Sequence, residues 1–215
     1  MKSYDSCRVQ VLECCQWLSR HGFFGTLRGT GGNISMRTES GDTIVITPSS
    51  TPYDTMKTGD LCVMDLDGKV LEGELKPTIE AGLHCAVYRN RQDVNAVVHT
   101  HQLYASVLSV INAPIPALFD EVALSIGHTV DIIPYAFSGS QELAGNVEKC
   151  VGNMCNCFLI QNHGALSLGR KLEKAWQNAE LLEKAAEVYY LALASGRDIS
   201  TLPESSVELV KKLRG

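Results

Sequence analysis

Over residues 5–19 the apolar positions Cys7, Val11, Cys14, Cys15 and Leu18 recur three or four apart, which predicts an amphipathic helix ending before His21-Gly22. The pattern then shortens. Residues 34–37 and 43–47 read as strands joined by a turn at Ser40-Gly41-Asp42, and residues 61–65 and 70–72 as a second hairpin around Asp67-Gly68. A helix is predicted to open at Thr78, just after Pro77, and to run to about Asn90. The β-branched run 96–101 predicts a strand, 103–110 a helix, and 131–134 and 157–160 two more strands. Residues 172–194, rich in Ala, Leu, Glu and Lys, form a long helix with Gly196 as its stop. From about Leu202 onward loose packing is expected. Hairpins interspersed with helices indicate one α/β (α+β-like) domain spanning 1–215, with a mostly antiparallel central sheet covered by helices.

Composition narrows the function. The chain has 215 residues, 45% apolar and 20% charged, close to the globular average, which argues against disorder. Its net charge is −5 and no basic run is longer than Lys211-Lys212, so no nucleic-acid partner is expected. No apolar stretch reaches the length of a membrane span, and Met1-Lys2-Ser3-Tyr4-Asp5 lacks the cationic-then-apolar form of a secretory signal. No membrane partner and a cytoplasmic location follow as expectations. The eight cysteines include the adjacent pair Cys14-Cys15 and no C-x-x-C, which favours buried free thiols over disulfides or a structural zinc site.

The chemistry concentrates in a few residues. His99 and His101 stand at i and i+2 near a strand end, and such residues project from one face. His163, in Gln161-Asn162-His163-Gly164-Ala165, also lies where a strand meets a loop. Three neutral imidazoles with an open fourth position make a Lewis-acid site for zinc, and they also accept manganese or cobalt. His21, His84 and His128 are assigned structural roles, although His84 shares a helical face with Glu80. Glu80 lies in the predicted first helical turn and is a candidate general base or reserve ligand. The loop Arg28-Gly29-Thr30-Gly31-Gly32-Asn33 can bring backbone N–H groups to an oxyanion, though it is neither a P-loop nor a G-x-G-x-x-G motif. The Thr47-Pro48-Ser49-Ser50-Thr51-Pro52 segment and Thr78 add hydroxyl donors. Such loops beside a metal suit a small phosphorylated substrate.

In this order, Gly-Gly-Asn-Ile-Ser, Ile-Thr-Pro-Ser-Ser, Lys-Pro-Thr-x-Glu, Val-Val-His-Thr-His and Asn-His-Gly, the chain resembles the class II aldolase/adducin family, most of all its L-fuculose-1-phosphate aldolase branch. The resemblance runs over nearly the whole chain, from about residue 5 to 194. It implies a nine-stranded, largely antiparallel sheet with helices on both faces. It also implies a cyclic homotetramer with active sites at subunit boundaries. The implied reaction is zinc-dependent, reversible cleavage of a phosphorylated ketose to dihydroxyacetone phosphate and an aldehyde through a metal-stabilised enediolate. His99, His101 and His163 match the family's metal histidines, Glu80 its catalytic carboxylate, and Gly32, Asn33, Ser49, Ser50 and Thr78 its phosphate-holding positions. Two departures stand out. Ile79 replaces a usual hydroxyl residue, and Asp120, followed by Glu121, occupies the place of a proton-donating tyrosine from the neighbouring subunit. Either carboxyl would need a raised pKa to donate a proton near neutral pH. Relatives that decarboxylate 3-oxo sugar-acid phosphates, or that epimerise or dehydrate sugar phosphates, supply an alternative. The adducin-like assembly domain lacks the metal histidines that this chain keeps.

Overall fold

Alternation of side chains along the strands sets the layering. The computed structural model describes residues 4–26 and 29–214; Met1, Lys2, Ser3 and Arg28 of the segments discussed above lie outside the described residues. Strands β1 (Asn33–Arg37), β2 (Thr43–Ile46), β3 (Cys62–Asp65), β4 (Val70–Glu72), β5 (Ala96–Thr100), β6 (Ile115–Pro116), β7 (Thr129–Ile133), β8 (Cys157–Ile160) and β9 (Gly164–Gly169) form one sheet, ordered β4-β3-β2-β1-β5-β9-β8-β7-β6. Only the β7–β8 pair is parallel. This is the single α/β domain with a nine-stranded, mostly antiparallel sheet that the sequence led us to expect.

Successive strand residues point to opposite faces. Ile44, Ile46, Val97, Phe158 and Ile160 pack beneath α2 (Ala81–Asn90) and α5 (Gln141–Cys150). Val45, Val98 and Leu159 turn to the other face, which α1 (Asp5–Arg20), α3 (Leu103–Val110), α4 (Asp120–Ile126) and α6 (Leu172–Ala194) cover. Strands β2, β5, β8 and β9 are buried along their whole length, so their sequences carry continuous apolar runs. No helix among the described residues is long and apolar enough to cross a membrane, and no cysteine is disulfide-bonded.

Two expectations need correction. The helix predicted from Thr78 starts at Ala81, and Glu80 precedes its first residue. The reason is tertiary: Pro77 bridges Pro48, the Thr78 N–H donates to the Thr47 carbonyl at 3.0 Å, and the Ser49 N–H to that of Lys76 at 2.8 Å. The segment is held extended until the pairing ends. The residues after Leu202 do not pack loosely but form α7 (Glu204–Arg214), whose Val210 is buried against Ala117 and Ala123 of the α4 region.

Candidate metal centre

The site grows from the end of β5. There β5 pairs with β9, Thr100 opposite Ala165, and with β1, His99 opposite Asn33. His99 is the last but one residue of β5, and His101 follows just past its end on the same side. His163 enters from the turn between β8 and β9, where Asn162 takes a positive φ of 54°. Glycines make room: a Cβ at Gly32 would lie 2.5 Å from the His99 carbonyl oxygen, and one at Gly31 2.8 Å from His101 Nδ1.

The three imidazoles turn their Nε2 atoms toward one another. His99 Nε2 lies 3.0 Å from His101 Nε2 and 3.2 Å from His163 Nε2, and the ligand atoms of all three lie within 4.8 Å of one another. Ligands about 2.0–2.1 Å from a tetrahedral zinc stand about 3.3 Å apart, so these separations suit one ion. His99 Nδ1 sits 2.9 Å from the Ala165 carbonyl. That oxygen can only accept, so Nδ1 carries a proton there, the second contact that metal-ligating histidines commonly make, and Nε2 is left to meet the ion once its own proton is lost. Glu80 completes the set, with Oε2 3.2 Å from His99 Nε2 and Oε1 3.3 Å from His163 Nε2. Glu80 Oε1, which faces the histidine cluster, is buried without a hydrogen-bond partner, as expected of an oxygen beside a cation.

The electrostatics agree. Burial opposes ionisation of Glu80, but the His99 charge and hydrogen bond, with the Asn33 amide, outweigh it and hold the carboxyl well below its usual range. Burial lowers His99, yet the Glu80 carboxylate reverses this and raises it. His101 and His163 are lowered to about 3 and about 4, by burial first and then by the His99 charge, so both are neutral ligands at pH 7.

Glu80 is held by a directional chain of hydrogen bonds. The Tyr88 hydroxyl lies 2.8 Å from Ser35 Oγ, Ser35 Oγ 2.7 Å from His84 Nδ1, and His84 Nε2 2.5 Å from Asn33 Oδ1. Asn33 Nδ2 donates to Glu80 Oε2 at 2.8 Å and to Thr78 Oγ1 at 3.1 Å. Because Asn33 Oδ1 can only accept, each proton in the chain points toward the carboxylate. His84 is therefore a support of the site, not only a core residue; its spacing four after Glu80 was the available signal. Asn33, expected to hold phosphate, has both amide protons committed to Glu80 and Thr78. Thr78 Oγ1 accepts from Asn33 and from the Glu80 N–H at 3.3 Å, which leaves its own proton for the cleft.

Beside the histidines lies a cleft of about 220 Å³ lined by Gly32, Asn33, Ser49, Ser50, Thr78 and Glu80, among others. The candidate phosphate residues from three separate segments thus converge. Ile79, 65% exposed, also lines it. Asp120 and Glu121, exposed in the first turn of α4, are not among its lining residues. A larger open depression of about 610 Å³ between α4 and α6 includes Glu121 and none of the three histidines, so size does not locate the chemistry.

Residues 9–190 match the model of the class II aldolase and adducin N-terminal domain. The L-fuculose phosphate aldolase of Escherichia coli O6:H1 is 33% identical over 201 residues, 94% of this chain and 90% of that one. The 5-deoxy-D-ribulose 1-phosphate aldolase of Bacillus thuringiensis serovar kurstaki is 34% identical over 197 residues, 89% of each chain. Among solved structures, an L-fuculose 1-phosphate aldolase superposes with a TM-score of 0.89 at 32% identity, covering 96% of this chain and 95% of its own.

Proposed function

Since this chain belongs to the class II aldolase/adducin family as a metal-dependent enzyme, we propose that it reversibly cleaves a phosphorylated ketose to dihydroxyacetone phosphate and an aldehyde. The observation that carries this reading is the meeting of three imidazole nitrogens and the Glu80 carboxylate beside a hydroxyl- and glycine-lined cleft. The names of two relatives point the same way, since both are aldolases of sugar phosphates.

His99, His101 and His163 would hold the ion, taken as zinc, with the Glu80 carboxylate beside them as a reserve ligand. Bound there, the ion supplies Lewis-acid charge against developing negative charge on substrate oxygen. The chain's own groups do the rest. Ser49, Ser50 and Thr78 hydroxyls, with the backbone at Gly32, receive the phosphate; Asn33 contributes by fixing Thr78 and Glu80. In cleavage, the bond between the carbon next to the carbonyl and the hydroxyl-bearing carbon breaks, and the carbon left behind takes a proton from Glu80, which must first gain one from solvent because its carboxyl is ionised in the free site. In synthesis it removes that proton. The proton of the substrate hydroxyl passes to Asp120 or Glu121 of a neighbouring copy of the chain. Exposed apolar side chains on α3 (Leu103, Val110), at its C-terminal cap (Ile111) and on α6 (Leu191) support self-association, proposed here as a homotetramer.

The test is product analysis with zinc-loaded protein and a panel of ketose 1-phosphates. Aldehyde and dihydroxyacetone phosphate should appear together. Glu80→Gln should keep its metal and lose about 10²-fold or more in turnover, whereas His99→Ala/His101→Ala should lose the metal. Unchanged turnover in Glu80→Gln would sink the assignment. Carbon dioxide from an oxo-acid phosphate, without aldehyde, would move the reading to a decarboxylase.

A further inference from the structure

The sheet has a second chemically distinctive end. Ala96 of β5 pairs with Gly169 of β9 there, about 13 Å along the strand from the Thr100–Ala165 end that carries the histidines. A cavity of about 290 Å³ at this end is lined by Arg91, by Arg170 and Lys174 of the β9–α6 junction, and by Arg214, brought in from three separate segments, and by one carboxylate, Asp93. In a chain of net charge −5 this concentration of cations is local, not a background property.

Its hydrogen-bond inventory is unbalanced. Both Asp93 oxygens are taken by Arg91, at 2.8 and 2.9 Å, and the remaining Arg91 donors reach the Val151 and Cys155 carbonyls and Asn156. Arg91 is thus satisfied and neutralised. The other three cations are not. The Arg170 guanidinium has no hydrogen-bond or ion-pair partner among the described residues; only its backbone carbonyl is used, by Asn95. Lys174 makes one bond, to Ser125 Oγ. Arg214 donates to the Leu124, Ser125 and Met154 carbonyls through its two terminal nitrogens, leaving its Nε–H and one terminal N–H. Donors greatly outnumber acceptors, and three positive charges face one opening without a free carboxylate.

We propose that this cavity is a second anion site that takes a dianionic phosphate group, free or carried by a small metabolite, with Arg170 and Lys174 as its main contacts. Such an ion supplies several acceptor oxygens for the unused donors, and charge-assisted bonds of this kind are the strong ones. Occupancy ties α7 to α4, α6 and the sheet edge, so binding stabilises the fold.

The test is titration of the zinc-loaded full chain with inorganic phosphate and, separately, glycerol phosphate. Sodium chloride holds ionic strength constant so that screening does not imitate binding. A Ser49→Ala/Thr78→Val variant removes competition from the histidine-side cleft. Saturable phosphate binding should persist there and weaken at least tenfold when Arg170→Ala/Lys174→Ala is added, with zinc content unchanged. Tighter binding of the ester would identify a metabolite as the source; tighter binding of the inorganic ion would identify free phosphate. Arg170→Glu alone, a change at an exposed side chain with no hydrogen-bond partner among the described residues, should show the same loss in a folded protein. Absence of saturable binding beyond the chloride control would overturn the proposal. So would binding that the Arg170 changes leave intact.

Discussion

Replacing Gly31 with alanine puts a Cβ 2.8 Å from His101 Nδ1, 3.3 Å from its Cε1 and 3.0 Å from the Phe24 carbonyl oxygen. The Gly31 backbone lies outside the left-handed region, so the effect is one of contact and not of backbone strain. An ordinary non-bonded contact is about 3.5 Å, so the imidazole has to retreat by about 0.7 Å. His101 Nε2, on the far side of the same rigid ring, moves by a similar amount from its place 3.0 Å from His99 Nε2. Metal sites tolerate only about 0.2 Å in ligand distance. Comparable disturbance of the groups that orient a ligand costs about 10–100-fold in metal affinity, or about 1.4–2.7 kcal/mol. The assay is a competitive zinc titration against a chelator at pH 7.5. The melting temperature of the metal-free protein is measured alongside and should fall only slightly. Zinc affinity within about twofold of the parent, in a folded variant, would refute the reasoning. It would show that the glycine loop, not the ring, gives way.

Three further outcomes follow from the same structure. Ser35→Ala leaves His84 Nδ1 and the Tyr88 hydroxyl without their partner in a fully buried position; denaturant unfolding should show a loss of about 1–3 kcal/mol, and turnover should fall further than zinc affinity. Zinc binding must displace the proton that Glu80 helps His99 to hold, while His101 and His163 are already neutral; zinc affinity should therefore drop about tenfold between pH 6.5 and 5.5, and a flat profile there would contradict the His99 assignment. Asp93 is held below its ordinary value, first by the hydrogen bond from Arg91 and against the effect of burial. Its contribution to stability is present above the unfolded value and is lost as pH falls through the folded one, so Asp93→Asn should destabilise the protein at pH 7 and flatten the acid limb of its stability curve.

Much of this protein is written locally. The i, i+3, i+4 pattern of Cys7, Val11, Cys14 and Leu18 determined α1, and the apolar runs around Val97 and Phe158 determined two central strands, because backbone periodicity and burial act within a few residues. His99 and His101 were legible as a ligand pair for the same reason: a strand places i and i+2 on one side. The strands and α-helices that were missed, β6, β9 with its run Gly164–Gly169, α4, α5 and α7, are short or carry few apolar residues, and their docking partners complete them. The start of α2 was decided by tertiary pairing, since the bonds of Thr78 to Thr47 and Ser49 to Lys76 override the local helix signal. The same holds for Asn33. Its sequence neighbourhood suggested an anion contact, but registry opposite His99 and the approach of His84, Glu80 and Thr78 commit its amide to positioning a carboxylate. Arg91, the Arg170–Lys174 pair and Arg214 are unremarkable in sequence because they stand in three separate segments, and only the closure of the sheet and the docking of α7 gather their charges around one cavity. Local spacing determines what a segment can become; which side chains share a point in space depends on long-range pairing, where register and packing, not spacing, set the distances.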